Sequence, residues 1–290
     1  LEGIRDDEKV ISILPMERSM IENPEGHFLM FATANARIKK SKLSEYARIN
    51  RNGKFALKFA DGDSDNLVSV RPATDADHVV LVSASGNACR FMPAEEKTRV
   101  SPETGESVTT YVVRVQGRIS QGVSGMKLSE GDEVIGMIVT DDFDTSVLTI
   151  SKYGMAKRSR LGSGEMIPLA EDGSPLVDES GDQVFERDGY RKTNRGTKGV
   201  RTMSLREGDE IVSVRQIPDL DDQLFMLTGS GMMIRMVSGQ TKETLGKVTK
   251  GTRIMELRNR DRTGYEDEIV FVARLPSELI STGESLEEEE

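Results

Sequence analysis

The sequence has no tryptophan, a single cysteine (Cys89) and only 5% aromatic residues. One cysteine excludes an intramolecular disulfide framework and fits a reducing compartment, so a cytoplasmic location is expected. With so few aromatics, any core must be built from aliphatic side chains. A 36% hydrophobic content over 290 residues suffices for one large lean domain or two ordinary ones. No apolar run approaches the roughly 20 residues of a membrane-spanning helix. A signal-peptide pattern is missing and the chain opens at Leu1, so a fragment of a longer protein is expected. Groups for chemistry are equally scarce. His27 and His78 lie beside apolar stretches without metal-ligand spacing to Cys89, and structural roles are expected for both. No Gly-x-x-x-x-Gly-Lys-Ser/Thr loop is present to hold a nucleotide. A recurring Glu-Gly-Asp lacks the spacing of a calcium loop and reads as a tight turn. Neither a catalytic residue nor a metal site is expected.

The net charge of −10 argues against an anionic partner until its distribution is considered. Residues 161–189 carry eight acids and one base, and residues 276–290 carry six acids and no base. Without these two segments the rest of the chain stands at +3. A mildly basic body with two acidic appendages can still present a local phosphate-binding patch.

Internal repetition is the main signal. An acidic or polar pair followed by a short aliphatic strand begins at Glu8, Asp65, Asp132, Asp209 and Asp267, with spacings of 57, 67, 77 and 58 residues. A second strand follows in the first four copies: Phe28-Leu29-Met30-Phe31, Val79-Val80-Leu81-Val82, Val147-Leu148-Thr149-Ile150 and Leu224-Phe225-Met226-Leu227. Each leads into a hairpin turn expected to need positive φ, at Asn35, Gly86, Gly154 and Gly231. Four residues after each turn stands a base: Lys39, Arg90, Arg158 and Arg235. A third strand opens at Gly53, Gly122, Gly199 and Gly251, with alternating apolar positions such as Val123, Met126 and Leu128. It closes at Asp61-Gly62-Asp63, Glu130-Gly131-Asp132 or Glu207-Gly208-Asp209. Four short strands per unit of about 60 residues predict an all-β fold, a propeller-like array of four-stranded blades.

These motifs in this order resemble the DNA gyrase A C-terminal repeat. The likeness rests on Glu-Gly-Asp-Glu before an aliphatic pair, Gly-x-x-x-Arg/Lys in the hairpin, and Arg195-Gly196-Thr197-Lys198-Gly199-Val200. It covers about residues 5–275 apart from the insertions. The resemblance implies a β-pinwheel, a propeller variant whose blades exchange a strand with their neighbours. It also implies that duplex DNA is wrapped round the outer rim of an ATP-dependent type II topoisomerase, directing strand passage and negative supercoiling. Partners would be the remainder of the same gyrase A polypeptide, together with the ATPase-bearing B subunit. ATP and Mg2+ would act in other domains, and so would the cleavage tyrosine. The gyrase-specific Gln-Arg-Arg-Gly-Gly-x-Gly box does not occur here, which also keeps the topoisomerase IV relative of the same domain in view. A WD or kelch interaction propeller is disfavoured by the absent tryptophan and Gly-His and Trp-Asp signatures.

Wrapping needs cations along a surface and little base reading. The expected contacts are Arg37, Lys39 and Lys40 in the first unit and Arg90 in the second. The third and fourth units supply Lys157, Arg158, Arg160, Arg195, Lys198, Arg201, Arg235, Lys250 and Arg253. Further bases, among them Arg51, Lys97, Arg99, Arg118, Arg191, Lys192, Lys242 and Lys247, accompany them. The insertion at about 161–189 reads as a flexible element pointing away from DNA. The tail at 276–290 reads as a disordered solubilising end or, by the resemblance, a competitor for the basic rim.

Overall fold

Runs of four to seven residues rich in aliphatic and β-branched side chains, each bounded by turn formers, favour short strands over helices. The computed structural model describes residues 10–48, 53–59, 64–100, 105–167, 177–244, 249–258 and 264–279, the side chains of Arg99 and Glu186 excepted. Its strands are β1 (Phe28–Thr33), β2 (Arg37–Lys42), β3 (Leu67–Ala73), β4 (His78–Ser83), β5 (Asn87–Phe91), β6 (Glu96–Val100) and β7 (Ser107–Tyr111). They continue as β8 (Val123–Ser124), β9 (Val134–Thr140), β10 (Ser146–Ser151), β11 (Met155–Arg160), β12 (Met166–Ile167) and β13 (Glu186–Arg187). Last come β14 (Val200–Arg201), β15 (Ile211–Ile217), β16 (Gln223–Thr228), β17 (Met233–Val237), β18 (Thr252–Arg253) and β19 (Ile269–Leu275). Helix is confined to a five-residue element (Arg18–Glu22), two 3-10 turns and residues 277–279 among the described residues. The expected all-β class is observed.

Sheet order shows how the repeat is used. One antiparallel sheet runs β3-β1-β2-β8 and another β15-β10-β11-β18. Likewise β4 pairs with β5 and β9, and β16 with β17 and β19. Each hairpin is therefore completed by the acidic-pair strand of the following repeat. On the other edge of β2 and β11 lies the strand that follows the next repeat's glycine. The sheets are cut out of phase with the sequence units, which corrects the reading of each unit as its own blade. The same rule explains two expected strands that do not form. Val10–Ile13 and Gly53–Phe59 lie in no strand, and both belong to the classes that complete a preceding hairpin. No hairpin precedes either of them to the N-terminal side of β1 among the described residues. The turn at 61–63 falls outside the described residues.

Two local contacts set this register. A Cβ added at Gly122, Gly199 or Gly251 would lie 2.5, 2.2 or 2.2 Å from the carbonyl oxygen of Ile38, Ala88 or Ala156. Those three carbonyls occupy one position of the hairpin, so the incoming backbone approaches closely only where a side chain is absent. The second contact is the aspartate of the acidic pair. Asp65 accepts from the amide of Asn35 (2.8 Å), Asp209 from that of Tyr153 (3.2 Å) and Asp267 from that of Ser230 (3.1 Å). Each carboxylate thus holds the hairpin turn of the repeat before it. The turn residue with positive φ is Gly86, Gly154 or Gly231, but in the first hairpin it is Ala36 (φ 59°), not Asn35 as expected.

The chain divides into two compact units. One comprises Leu1–Ser83, Ala88–Asp141 and Thr193–Gly199, the other Ala84–Asn87, Asp142–Lys192 and Val200–Glu290. In the first, Met30, Ile38, Leu81, Phe91, Met126 and Met137 share one core, while Leu29, Phe31 and Val70 pack with Leu14 and Met20 on another face. In the second, Leu148, Ile150, Ile217, Leu224, Met226 and Met255 form the core. Met126 and Met203, expected on the apolar side of the third strand, are buried, and so is Met255 at the equivalent place. The repeats lengthen at one place only. A β6–β7 hairpin accounts for the longer second repeat, and the third carries the acidic insertion, rooted by β12 paired with β13. Residues 168–176 of that insertion, like Arg51, Lys247 and the tail from 280, lie outside the described residues.

The glycine contact is testable. Gly251→Ala forces a side chain into the Ala156 carbonyl and should lower stability by at least about 2 kcal/mol. Gly181→Ala, also at positive φ but with nothing within 4 Å, should cost roughly 1 kcal/mol. Urea unfolding midpoints at unchanged slope check the ranking.

Candidate nucleic-acid interface

The hairpin register decides what the recurring bases do. Lys40, Arg90, Arg158 and Arg235 stand opposite Met30, Val80, Leu148 and Phe225, one equivalent position in four hairpins. Because the first turn pivots at Ala36, its member of this set is Lys40, and Lys39 is instead equivalent to Lys157. Exposure was expected and burial is found: Lys39 0%, Arg90 0%, Lys40 2%, Lys157 3% and Arg158 8%. These five are corrected from surface cations to interior ones. Arg235 alone of the four is exposed, and it lies in the sheet to which no fourth strand is added among the described residues.

Each base of the set turns to the first residue of its own central strand. Arg90 Nε donates to His78 Nδ1 (3.2 Å), Arg158 Nη1 to Ser146 Oγ (3.1 Å) and Arg235 Nε to Gln223 Oε1 (2.9 Å). Lys40 Nζ lies 4.0 Å from the centre of the Phe28 ring and 2.5 Å from Asp75 Oδ1. Arg158 also meets Glu243 Oε2 at 2.8 Å. A buried cation is tolerable only with such partners. Recurrence here signals a clamp within the sheet. Lys39 and Lys157 are held by backbone: Lys39 Nζ donates to the carbonyls of Ala56 (2.7 Å) and Arg118 (2.6 Å), and Lys157 Nζ to that of Thr202 (2.7 Å). Burial pulls the pKa of each down from 10.5 to about 8.

The exposed cations follow a different register. The amides of Gln116, Thr193 and Thr244 donate to the carbonyls of Lys40 (2.8 Å), Arg90 (2.6 Å) and Arg158 (2.9 Å), so these three residues are equivalent. Two residues before each stands an exposed base: Arg114, Arg191 and Lys242. The set was missed because the spacing to the following glycine is eight, eight and nine residues, which a fixed count does not align. Among the expected residues, Lys198 and Lys250 are exposed immediately before Gly199 and Gly251, and Arg201 and Arg253 are exposed two residues after those glycines. Arg253 pairs with Glu256 at 2.6 Å, and the exposed Arg160 pairs with Asp144 and Asp188 at 3.1 and 3.4 Å. Arg195 is folded onto the carbonyls of Val112 (2.8 Å) and Ser124, while Arg37 is half-buried. His78 is the acceptor for Arg90 described above, a structural role as expected.

The model of the DNA gyrase C-terminal domain, beta-propeller family, matches residues 27–74, 107–141, 184–218 and 222–263, together more than half of the chain. The chain belongs to this family. The DNA gyrase A protein of Rickettsia bellii is 28% identical over 278 residues, covering 88% of this chain and 28% of that protein. Its counterpart in Staphylococcus epidermidis is 28% identical over 256 residues, covering 88% and 23%. The chain thus spans about a quarter of the length of the curated relatives it matches. Its fold is that of the solved C-terminal domain of DNA topoisomerase IV (TM-score 0.69, 17% identity, 99% of this chain and 72% of that one). The solved gyrase A C-terminal domain is also similar (TM-score 0.59, 20% identity, 87% and 67%). The matched ranges take in the first and fourth hairpins, the glycine-led segments at Gly122, Gly199 and Gly251, and the acidic-pair strands β3, β9 and β15. No described helix is long and apolar enough to cross a membrane.

The buried lysines make stability depend on pH with a definite sign. Between about pH 8 and the ordinary lysine value near 10.5, the unfolded chain binds more protons at Lys39 than the folded one. Stability therefore rises with pH across that window. Denaturant unfolding of the wild type and Lys39→Met from pH 7.5 to 10.5 should show a steeper rise in the wild type. Parallel curves would contradict the depressed value.

Proposed function

We propose that this chain is the DNA-binding and DNA-wrapping domain of a type II topoisomerase, gyrase A rather than its topoisomerase IV equivalent, because the matched relatives of 28% identity are gyrase A proteins. The carrying observation is the repeated exposed cation, Arg114, Arg191 and Lys242, at one register position, joined by Lys198, Arg201 and Lys250 beside the glycine-led strands. A duplex offers a phosphate every few ångströms, and cations that recur from repeat to repeat meet that demand without reading bases. Bending a short duplex costs several kcal/mol, on the order of 1–6, so many modest contacts must offset it. The domain would act in the cytoplasm within a heterotetramer, beside the remainder of the gyrase A polypeptide, with the ATPase-bearing B subunit. Strand cleavage and ATP hydrolysis with Mg2+ would lie in other domains. The wrap would set the handedness of strand passage and hence negative supercoiling.

A salt titration of binding to a long duplex tests this. The wild type should give a steep log–log slope with little sequence preference. The Arg114→Ala/Arg191→Ala/Lys242→Ala variant should flatten it by roughly 2 to 3, since each phosphate contact contributes about 0.9. Ligation of nicked circles in the presence of the chain should leave a shifted linking number if the duplex is wrapped. Absence of duplex binding at low salt would sink the proposal.

A further inference from the structure

The acidic insertion of the third repeat begins and ends in a tight backbone lock. Gly162 N donates to Phe143 O and Tyr190 N to Leu161 O, both at 2.9 Å. A Cβ at Gly189 would lie 2.2 Å from Leu161 O, so the two ends of the insertion touch backbone to backbone. Directly beside this lock is a cavity of about 50 Å³. Its lining includes Lys157, Arg160, Arg187, Tyr190, Arg191 and Arg201, and no carboxylate.

The partners of these groups show which of them are engaged. Arg160 is occupied by Asp144 and Asp188, and Arg187 Nη1 donates to Gly164 O at 2.8 Å. Lys157 is fixed by Thr202 O, and the Tyr190 hydroxyl bonds that of Thr202. Nearby Lys192 pairs outside the cavity with Glu165 at 2.8 Å. Arg191 and Arg201 are exposed, and no ion pair or hydrogen bond engages either guanidinium among the described residues. The volume admits on the order of four water-sized groups at about 10–15 Å³ each, the oxygens of one tetrahedral oxyanion but not a nucleoside. Guanidinium forks match such an anion in geometry as well as in charge.

We infer that the root of the insertion builds a socket for a single phosphate group, gripped by Arg191 and Arg201 over a rigid floor of Lys157 and Tyr190. The rigidity matters because a pre-set site loses little freedom on binding. The insertion is then a device that adds one fixed phosphate anchor to its repeat. That the phosphate comes from a DNA backbone rests on the function proposed above; the socket itself does not.

Titration of the isotopically labelled 290-residue chain with inorganic phosphate, against sodium chloride at matched ionic strength, tests the socket by amide NMR. Saturable shifts are expected at Gly189–Arg191 and Val200–Thr202, and Arg191→Ala/Arg201→Ala should abolish them. Arg191→Lys/Arg201→Lys, which keeps the charges, should retain weakened saturation and shows that loss is not unfolding. With a duplex, the alanine pair should flatten the salt slope by at least about 0.9. Phosphate shifts no larger than those of chloride, or saturation that survives the alanine pair, would overturn the socket even if duplex binding persisted. Phosphate saturation without any duplex binding would instead keep the socket and remove the DNA reading.

Discussion

The fold depends on a backbone laid against a backbone: the glycine-led strand of one repeat sits on a carbonyl of the hairpin before it. At Gly122, Gly199 and Gly251 there is no room for even one methyl group. A side chain there would push the incoming strand off the hairpin edge and open the face where Met126, Met203 and Met255 are buried. The aspartate of the acidic pair secures the other side by accepting from the hairpin turn of the repeat before it. The two contacts hold each sheet together from consecutive repeats, so no repeat buries its apolar face alone.

This staggering decides the fate of the charged residues. A strand laid over the edge of a hairpin covers whatever side chains that edge presents, and in the first three hairpins it covers bases. They survive burial because a partner stands at a matching place: Phe28 with Asp75, His78, or Ser146 with Glu243. In the fourth hairpin the edge is open among the described residues, and Arg235 stays in solvent. Met233 shows the same contrast, 65% exposed where its equivalents Ile38, Ala88 and Ala156 are each 1% exposed. In the segments that cross over these hairpins the recurring bases, Arg114, Arg191 and Lys242, are exposed instead.

The two lengthened repeats show where the fold accepts extra chain. Both additions lie between the hairpin and the crossing segment, so neither disturbs the glycine contact or the aspartate contact. The second repeat gains the exposed β6–β7 hairpin. The third gains the acidic segment, whose net negative charge contrasts with the cationic cavity at its root. Charge summed along a sequence segment is a poor guide to local potential here, because Arg187 of that segment lines the cavity and no carboxylate does.

The sequence alone determined the class of the fold, the four repeat hairpins and the need for glycine at the third strand. Those features depend on local patterning: alternation, turn residues and spacing that recur in each copy. Membership in the gyrase A repeat family was legible from the same motifs. Tertiary structure decided which repeat completes which sheet and which bases are inside. A base four residues after a turn looks the same in sequence whether the next strand covers it or water does. Even the register was ambiguous by one residue, since Asn35 was the better candidate for positive φ by composition while Ala36 adopts it. The equivalence of Arg114, Arg191 and Lys242 rests on hydrogen bonds between residues about 75 to 105 positions apart, and no local pattern records a contact at that range.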